Sequence, residues 1–252
     1  AGINLEKGNY NSARVDGFVN IPVTETLQLR VAGVFQRHDG YVKSTTPGIV
    51  LNDLDENAQR VSLKWRPTSA LEISLHAGAW RRNDAGAGSY GYKTAGTLIN
   101  PATGYQSING AGLAVNPSVP NGSPNVAGRD VGVPVTGGAW TNDWDYQPFE
   151  RVAEDYVSGQ ISYDFGPATI RSITGYTHFR AHRSADNDQS SKIFEAYGYG
   201  SGVQEPNTRS KAFSQEVQIA SNSRSPLEWI VGAYYLNDKI FETYQQKITA
   251  PN

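Results

Sequence analysis

Residues 27–36 read Leu-Gln-Leu-Arg-Val-Ala-Gly-Val-Phe-Gln, and their period of two decides the fold class. Leu27, Leu29, Val31, Gly33 and Phe35 fall on one side of an extended chain, and Gln28, Arg30 and Gln36 on the other. A helix would repeat its apolar residues every three or four positions, so this stretch predicts a β-strand wetted on one face only.

The pattern continues in both directions. Upstream, Ala13, Val15, Gly17, Val19 and Ile21 oppose Ser12, Arg14, Asp16 and Asn20, with Phe18 as the exception. Downstream, Val61, Leu63 and Trp65 oppose Arg60, Ser62, Lys64 and Arg66, and Leu71, Ile73, Leu75, Ala77 and Ala79 oppose Glu72, Ser74 and His76. Val157, Gly159, Ile161, Tyr163 and Phe165 then alternate with Ser158, Gln160, Ser162 and Asp164. Near the end, Phe213, Val217 and Ile219 oppose Ser214, Glu216 and Gln218, followed by Leu227, Trp229, Val231, Ala233 and Tyr235. With a short strand at Gly2 to Lys7 and a segment of poorer facing from Ala168 to Arg183, about nine strands are expected.

The connections set the architecture. Short turns follow Pro22, Arg66, Phe165 and Asn222, whereas long links are expected at Gly40 to Glu56, Asp84 to Val152 and Ala185 to Thr208. After the first hairpin short and long connections alternate strictly, the signature of an up-and-down outer-membrane barrel with short periplasmic turns and long extracellular loops. The fold class is therefore all-β, a transmembrane antiparallel up-and-down β-barrel. A Greek-key sandwich has no cause to alternate in this way.

Composition agrees. Hydrophobic residues make up 38%, under the roughly 45–50% of globular domains, yet there are 14 Tyr, 8 Phe and 5 Trp. Apolar residues on alternate positions and rings at the lipid–water boundary give that combination. A net charge of -2 argues against a nucleic-acid partner, and the lack of cysteine excludes disulfides and thiolate chemistry. No run approaches the roughly 20 apolar residues of a spanning helix. The chain has no Met and no signal-like segment, so an internal piece of a longer protein is expected.

Motifs with other meanings fail on context. Gly86, Gly88 and Gly91 spell G-x-G-x-x-G, but no amphipathic helix follows. Asp53, Asp55 and Asn57 have calcium-loop spacing, but Ala58 stands where glycine is needed. His178 and His182 would lie about 13 Å apart on a strand, too far to share an ion. No arrangement of nucleophile, base and acid supports an enzyme, and no cofactor is expected.

Aromatics near strand ends, Tyr41, Trp65, Trp80, Tyr163, Phe165, Trp229, Tyr235, Phe241 and Tyr244, suit a girdle at headgroup level. The loop aromatics Tyr90, Tyr92, Tyr105, Trp140, Trp144, Tyr146 and Phe149 lie outside the strands and either pack among themselves within the loops or stack on a flat or sugar-like ligand. The acidic loop residues Asp143, Asp145, Glu150 and Asp186 fit a cation-bearing ligand, and they also fit ordinary solvated loops or lipopolysaccharide-bound divalent ions.

The chain resembles the first part of the barrel of TonB-dependent outer-membrane receptors of the iron-complex type. The resemblance rests on Gly8-Asn9-Tyr10-Asn11, Arg14-Val15-Asp16-Gly17, Asn20-Ile21-Pro22, Leu29-Arg30-Val31-Ala32 and Asp39-Gly40-Tyr41-Val42. It extends through Asn52-Asp53, Arg60-Val61-Ser62-Leu63-Lys64-Trp65, Ser172-Ile173-Thr174-Gly175-Tyr176, Phe213-Ser214-Gln215-Glu216 and Trp229-Ile230-Val231-Gly232-Ala233-Tyr234-Tyr235. It implies that residues 1–252 are a partial barrel domain, about nine of 22 strands, without the plug and the C-terminal strands.

The implied function is uptake of a scarce ligand, foremost a ferric siderophore, across the outer membrane of a Gram-negative bacterium, driven by the TonB–ExbB–ExbD complex. Implied partners are that complex, the protein's own plug, outer-membrane lipid and lipopolysaccharide. Arg14, Asp16, Arg30, Arg60, Lys64 and Glu216 would face the lumen or plug. A passive porin and a soluble all-β binding or adhesion module are the alternatives, and a nine-strand piece alone is expected to form no functional pore.

Overall fold

The computed structural model describes residues 1–44, 46–86, 140–142, 144, 146–186, 202–222 and 227–248. Nine long strands form one antiparallel sheet in which each strand pairs with its predecessor and successor along the chain. They are β1 (Gly2–Lys7), β2 (Ala13–Pro22), β3 (Leu27–His38), β6 (Leu54–Trp65), β7 (Leu71–Asp84), β9 (Phe149–Asp164), β10 (Ala168–Asp186), β11 (Gly202–Ser221) and β12 (Ile230–Ile248). The short strands β4 (Val42–Ser44), β5 (Val50–Leu51) and β8 (Thr141–Asn142) form a second sheet in the order β5-β4-β8.

The short turns are built from the residues that such turns require. Thr24 Oγ1 accepts from the Leu27 amide at 3.0 Å, and Thr68 Oγ1 does the same for Leu71 at 3.1 Å. Between β9 and β10, Gly166 takes a φ of +99°, open to glycine without steric cost, and donates its amide to Asp164 Oδ1 at 2.7 Å.

Register sorts the side chains into two faces. Val19 lies opposite Val31 and Val31 opposite Val61, while Ile73 pairs with Ile161 and Ile161 with Ser172. Every one-sided apolar set expected from the sequence thus falls on the same face of the sheet. That face is uncovered: Val157 is 55% exposed, Ile161 50% and Leu75 47%. A soluble sandwich would bury these residues against a second layer, and among the described residues none covers them. From Leu71 to Ala79 and from Val157 to Phe165 the apolar stretches run nine residues, within the 9–11 that a tilted strand needs to cross hydrocarbon.

The described residues do contain a small closed core, set beside the long-loop ends of the strands. Val42, Ile49, Leu51 and Trp144 are buried together, with Tyr41 and Ala85 packed against them. No helix of the described residues is long and apolar enough to cross a membrane.

Strands exceed their expected lengths at the long-loop end. β6 starts at Leu54 and β9 at Phe149, and β11 starts at Gly202, six residues before the expected loop ends. These extensions lie beyond the apolar stretches, where both faces are polar and alternation carries no signal.

Candidate functional site: the polar face and the long-loop rim

The second face of the sheet is polar. Register puts Arg14, Asp16, Arg30, Arg60, Lys64 and Glu216 all on it. Arg14 bonds Asp16 at 2.9 Å and Gln36 at 2.6 Å, and Gln36 continues the chain of contacts to Glu56. Arg30 donates to Asn20 at 3.3 Å and lies 4.0 Å over the Phe18 ring, which accounts for the one apolar residue that breaks the alternation of β2. Lower on this face, Lys64 and Arg66 both reach Glu72, at 3.0 and 2.6 Å. The Arg60 guanidinium stands 3.2 Å from His76 Nδ1, which is itself 3.0 Å from Ser62 Oγ. The floor between β2 and β7 is an open hollow of about 920 Å³ lined by Asn20, Arg30, Arg60, Lys64 and His76.

Towards the long loops, Arg82 bonds the buried Asp84 at 2.6 Å and Glu150 at 3.5 Å, and Glu150 also receives Arg183 at 2.8 Å. Glu150 is therefore engaged by two cations rather than presented to a ligand. Asp186 is buried. Sequence reading missed the Arg82–Asp84–Glu150–Arg183 group because residues so far apart meet only through strand register.

At the rim, Tyr41 meets three other rings. It lies 5.4 Å from Tyr10, 6.0 Å from His38 and 5.4 Å from Trp140, the last edge-on at 84°. Tyr10 and Trp140 remain more than half exposed. Tyr10 is held in the left-handed region, φ 55°, in the turn between β1 and β2, and its carbonyl accepts the Asp39 amide at 2.7 Å. Tyr41, expected in the girdle, thus belongs to a rim cluster that Tyr10 and His38 complete.

Several expected roles change. Trp144 is 4% exposed, inside the small core, where Ser44 Oγ donates to its carbonyl at 2.5 Å, so it acts as a packing residue. Phe149 lies on the apolar-face side of β9, edge-on to His182 at 4.8 Å and 4.8 Å from the Arg151 guanidinium, away from the polar face. Trp80 and Tyr244 fall in register with Asp16 and Pro206 on the polar face, outside any girdle. Trp65, Tyr163 and Tyr235 do lie on the apolar face, with Tyr163 and Phe165 edge-on at 5.3 Å. Tyr146 is half-buried beside the Gln147 side chain, which bridges to Val50 at 3.0 and 3.1 Å. Tyr90, Tyr92, Tyr105, Asp143 and Asp145 lie outside the described residues.

No family model matches this sequence, and no curated protein matches it. Solved structures do. The ferric yersiniabactin uptake receptor FyuA from Yersinia pestis superposes with a TM-score of 0.63 at 14% identity, over 96% of this chain and 31% of the receptor. FpvA of P. aeruginosa, in a structure with bound heterologous pyoverdines and iron, gives 0.61 at 11% identity, over 96% of this chain and 28% of the other. BauA, the ferric preacinetobactin receptor of Acinetobacter baumannii, gives 0.56 at 12% identity, over 95% and 31%. The chain spans about 30% of these receptors, and its nine-strand antiparallel up-and-down sheet has the fold of part of their β-barrels. Its fold is a sector of such a barrel wall.

Proposed function

We propose that the chain is part of the wall of an outer-membrane receptor that takes up a ferric siderophore in a Gram-negative bacterium, energised by TonB–ExbB–ExbD. The observation that carries this proposal is the pair of faces: an uncovered apolar band nine residues deep on one side, a hydrogen-bonded polar face on the other. Hydrocarbon suits the first and a hydrated lumen or plug the second. The fold likeness to receptors whose described ligands are ferric siderophores supports the choice of cargo.

In this assignment Arg14, Asp16, Arg30, Arg60, Lys64 and Glu216 face the protein's own plug. The Tyr10–Tyr41–Trp140 rings form a rim contact for the arriving ligand, with Tyr90, Tyr92, Tyr105 and Tyr146 as further candidates. The role is that of a transporter and not of an enzyme. Growth of a deletion strain on a panel of ferric siderophores tests the proposal. Loss of growth on one compound names the cargo, and unchanged growth on all of them rejects it.

A further inference from the structure

The cations of the polar face are held in two ways. Arg14, Arg82 and Arg183 are neutralised by carboxylates, as Lys64 and Arg66 are by Glu72. Arg30 and Arg60 are held by neutral groups instead. Arg30 stacks on the Phe18 ring and donates to the Asn20 amide oxygen at 3.3 Å, and Arg60 donates to His76 Nδ1 at 3.2 Å. Among the described residues no carboxylate forms an ion pair with either arginine, and both are exposed. Each side chain is thus positioned while its charge stays uncompensated.

Both arginines line the open hollow of about 920 Å³, and among the described residues no Asp or Glu lines it. Arg30 lies opposite Ser62 and Arg60 opposite Ala32, so the two side chains start from diagonal positions roughly 7–8 Å apart across β3 and β6. Stacking on Phe18 leaves the in-plane N–H groups of Arg30 open to an oxygen acceptor. Arginine only donates, so His76 Nδ1 is the acceptor and the ring proton sits on Nε2, a further donor of a lining residue. Asn20 and Gln28 add amides to the hollow, and Lys64 adds a third cation.

We infer that Arg30 and Arg60, supported by Lys64, form an anion subsite that takes the carboxylate groups of a ligand passing through the lumen. The inference rests on the uptake reading above, which places this face in the lumen; within that reading the cargo is an anionic iron chelate of the polycarboxylate class. Such a chelate offers spare carboxylate oxygens, the acceptors that a guanidinium fork binds two at a time. A passing ligand is favoured over a fixed side chain of the plug by the recess itself. Packed protein layers leave few voids larger than a water molecule. This hollow, floored by the short side chains of Ala32, Ser62 and Ser74, has the size of small-molecule sites, roughly 300–1,000 Å³.

The test titrates the complete protein, purified in detergent, with citrate as the polycarboxylate probe, and with its uncharged trimethyl ester and inorganic phosphate for comparison. Calorimetry reads the affinities. Arg30→Gln combined with Arg60→Gln is expected to weaken citrate binding about a hundredfold, at roughly tenfold per guanidinium. Arg171→Gln, on the same face but outside the hollow, is expected to leave it unchanged. Equal affinity of the double variant and the wild type overturns the inference, as does equal affinity of the wild type for the ester. Failure of the wild type to bind citrate overturns it too, and would mean that a carboxylate of the plug holds the two arginines. Tighter binding of inorganic phosphate than of citrate overturns the carboxylate assignment. Citrate binding that depends on the two arginines, with growth of the deletion strain unchanged on every ferric siderophore, upholds the anion subsite and defeats the uptake reading alone.

Discussion

The ring of Tyr156 on β9 lies over Gly78, its direct partner on β7, so closely that a β-carbon on Gly78 would meet the ring at 2.6–2.7 Å. The glycine gives the ring a flat seat on the polar face, and the ring covers backbone that glycine leaves bare. Gly78→Ala is expected to lift the ring and Tyr156→Ala to bare the strand. A double-mutant cycle on unfolding in lipid vesicles should show the two coupled by about 0.5–1 kcal/mol. Additive effects would mean that the seat contributes nothing.

Charge placed on the apolar band separates the two faces energetically. Leu75→Arg puts a guanidinium where hydrocarbon is proposed and is expected to cost about 2–4 kcal/mol at mid-depth. Ser74→Arg, one residue away on the polar face, should fall within about 0.5 kcal/mol of wild type. Urea unfolding of the vesicle-inserted complete protein checks both, and equal costs would contradict the facing.

Removal of the Arg82 charge by Arg82→Met strands the buried Asp84 carboxylate, which still accepts the Gly86 amide at 2.8 Å. The loss is expected at about 2 kcal/mol, since a buried acceptor deprived of its charged donor keeps its desolvation cost. Arg82→Lys should restore only part of it, because an ammonium lacks the planar fork that reaches Asp84 and Glu150 together. Thermal unfolding of the three proteins decides the order.

Trp144 and Trp140 are expected to part company on substitution. Trp144→Ala empties the small core and should cost about 3–5 kcal/mol locally, read as faster protease nicking or hydrogen exchange over residues 42–51 with the barrel still inserted. Trp140→Ala should leave that protection intact and weaken binding of the cognate ferric siderophore about tenfold, measured by tryptophan-independent radio-iron binding. A Trp140 variant that binds as wild type removes the rim from the ligand site.

How much was legible follows one rule. Wherever one face met apolar surroundings and the other polar ones, as at Leu27 to Phe35 or Leu71 to Ala79, alternation revealed strand, face and partner. Where Ile170, Ser172, Thr174 and Tyr176 share the apolar face, two polar residues blurred the pattern, and only their neighbours Ile219, Val217, Gln215 and Phe213 settle the facing. Beyond the band nothing alternates, so the start of β9 at Phe149 was invisible. For Trp144 the sequence leaves loop self-packing and ligand stacking both open for the same reason, because the three short strands beside it span two or three residues each and leave no periodic trace. Of the site, the six polar-face residues were readable from alternation, while the Arg82 group and the Tyr10–His38–Tyr41 rings depend on contacts between distant segments.

From β2 to β10 every residue in the ladders has one partner and none is skipped. Such a wall constrains its own gene. Adding or deleting a single codon inside a strand would turn the remainder of that strand inside out, arginines to lipid and leucines to water, whereas a change of two codons would slide it and keep each side chain on its own side. Length variants of this protein should therefore accumulate between strands, and any tolerated within one should come in even numbers.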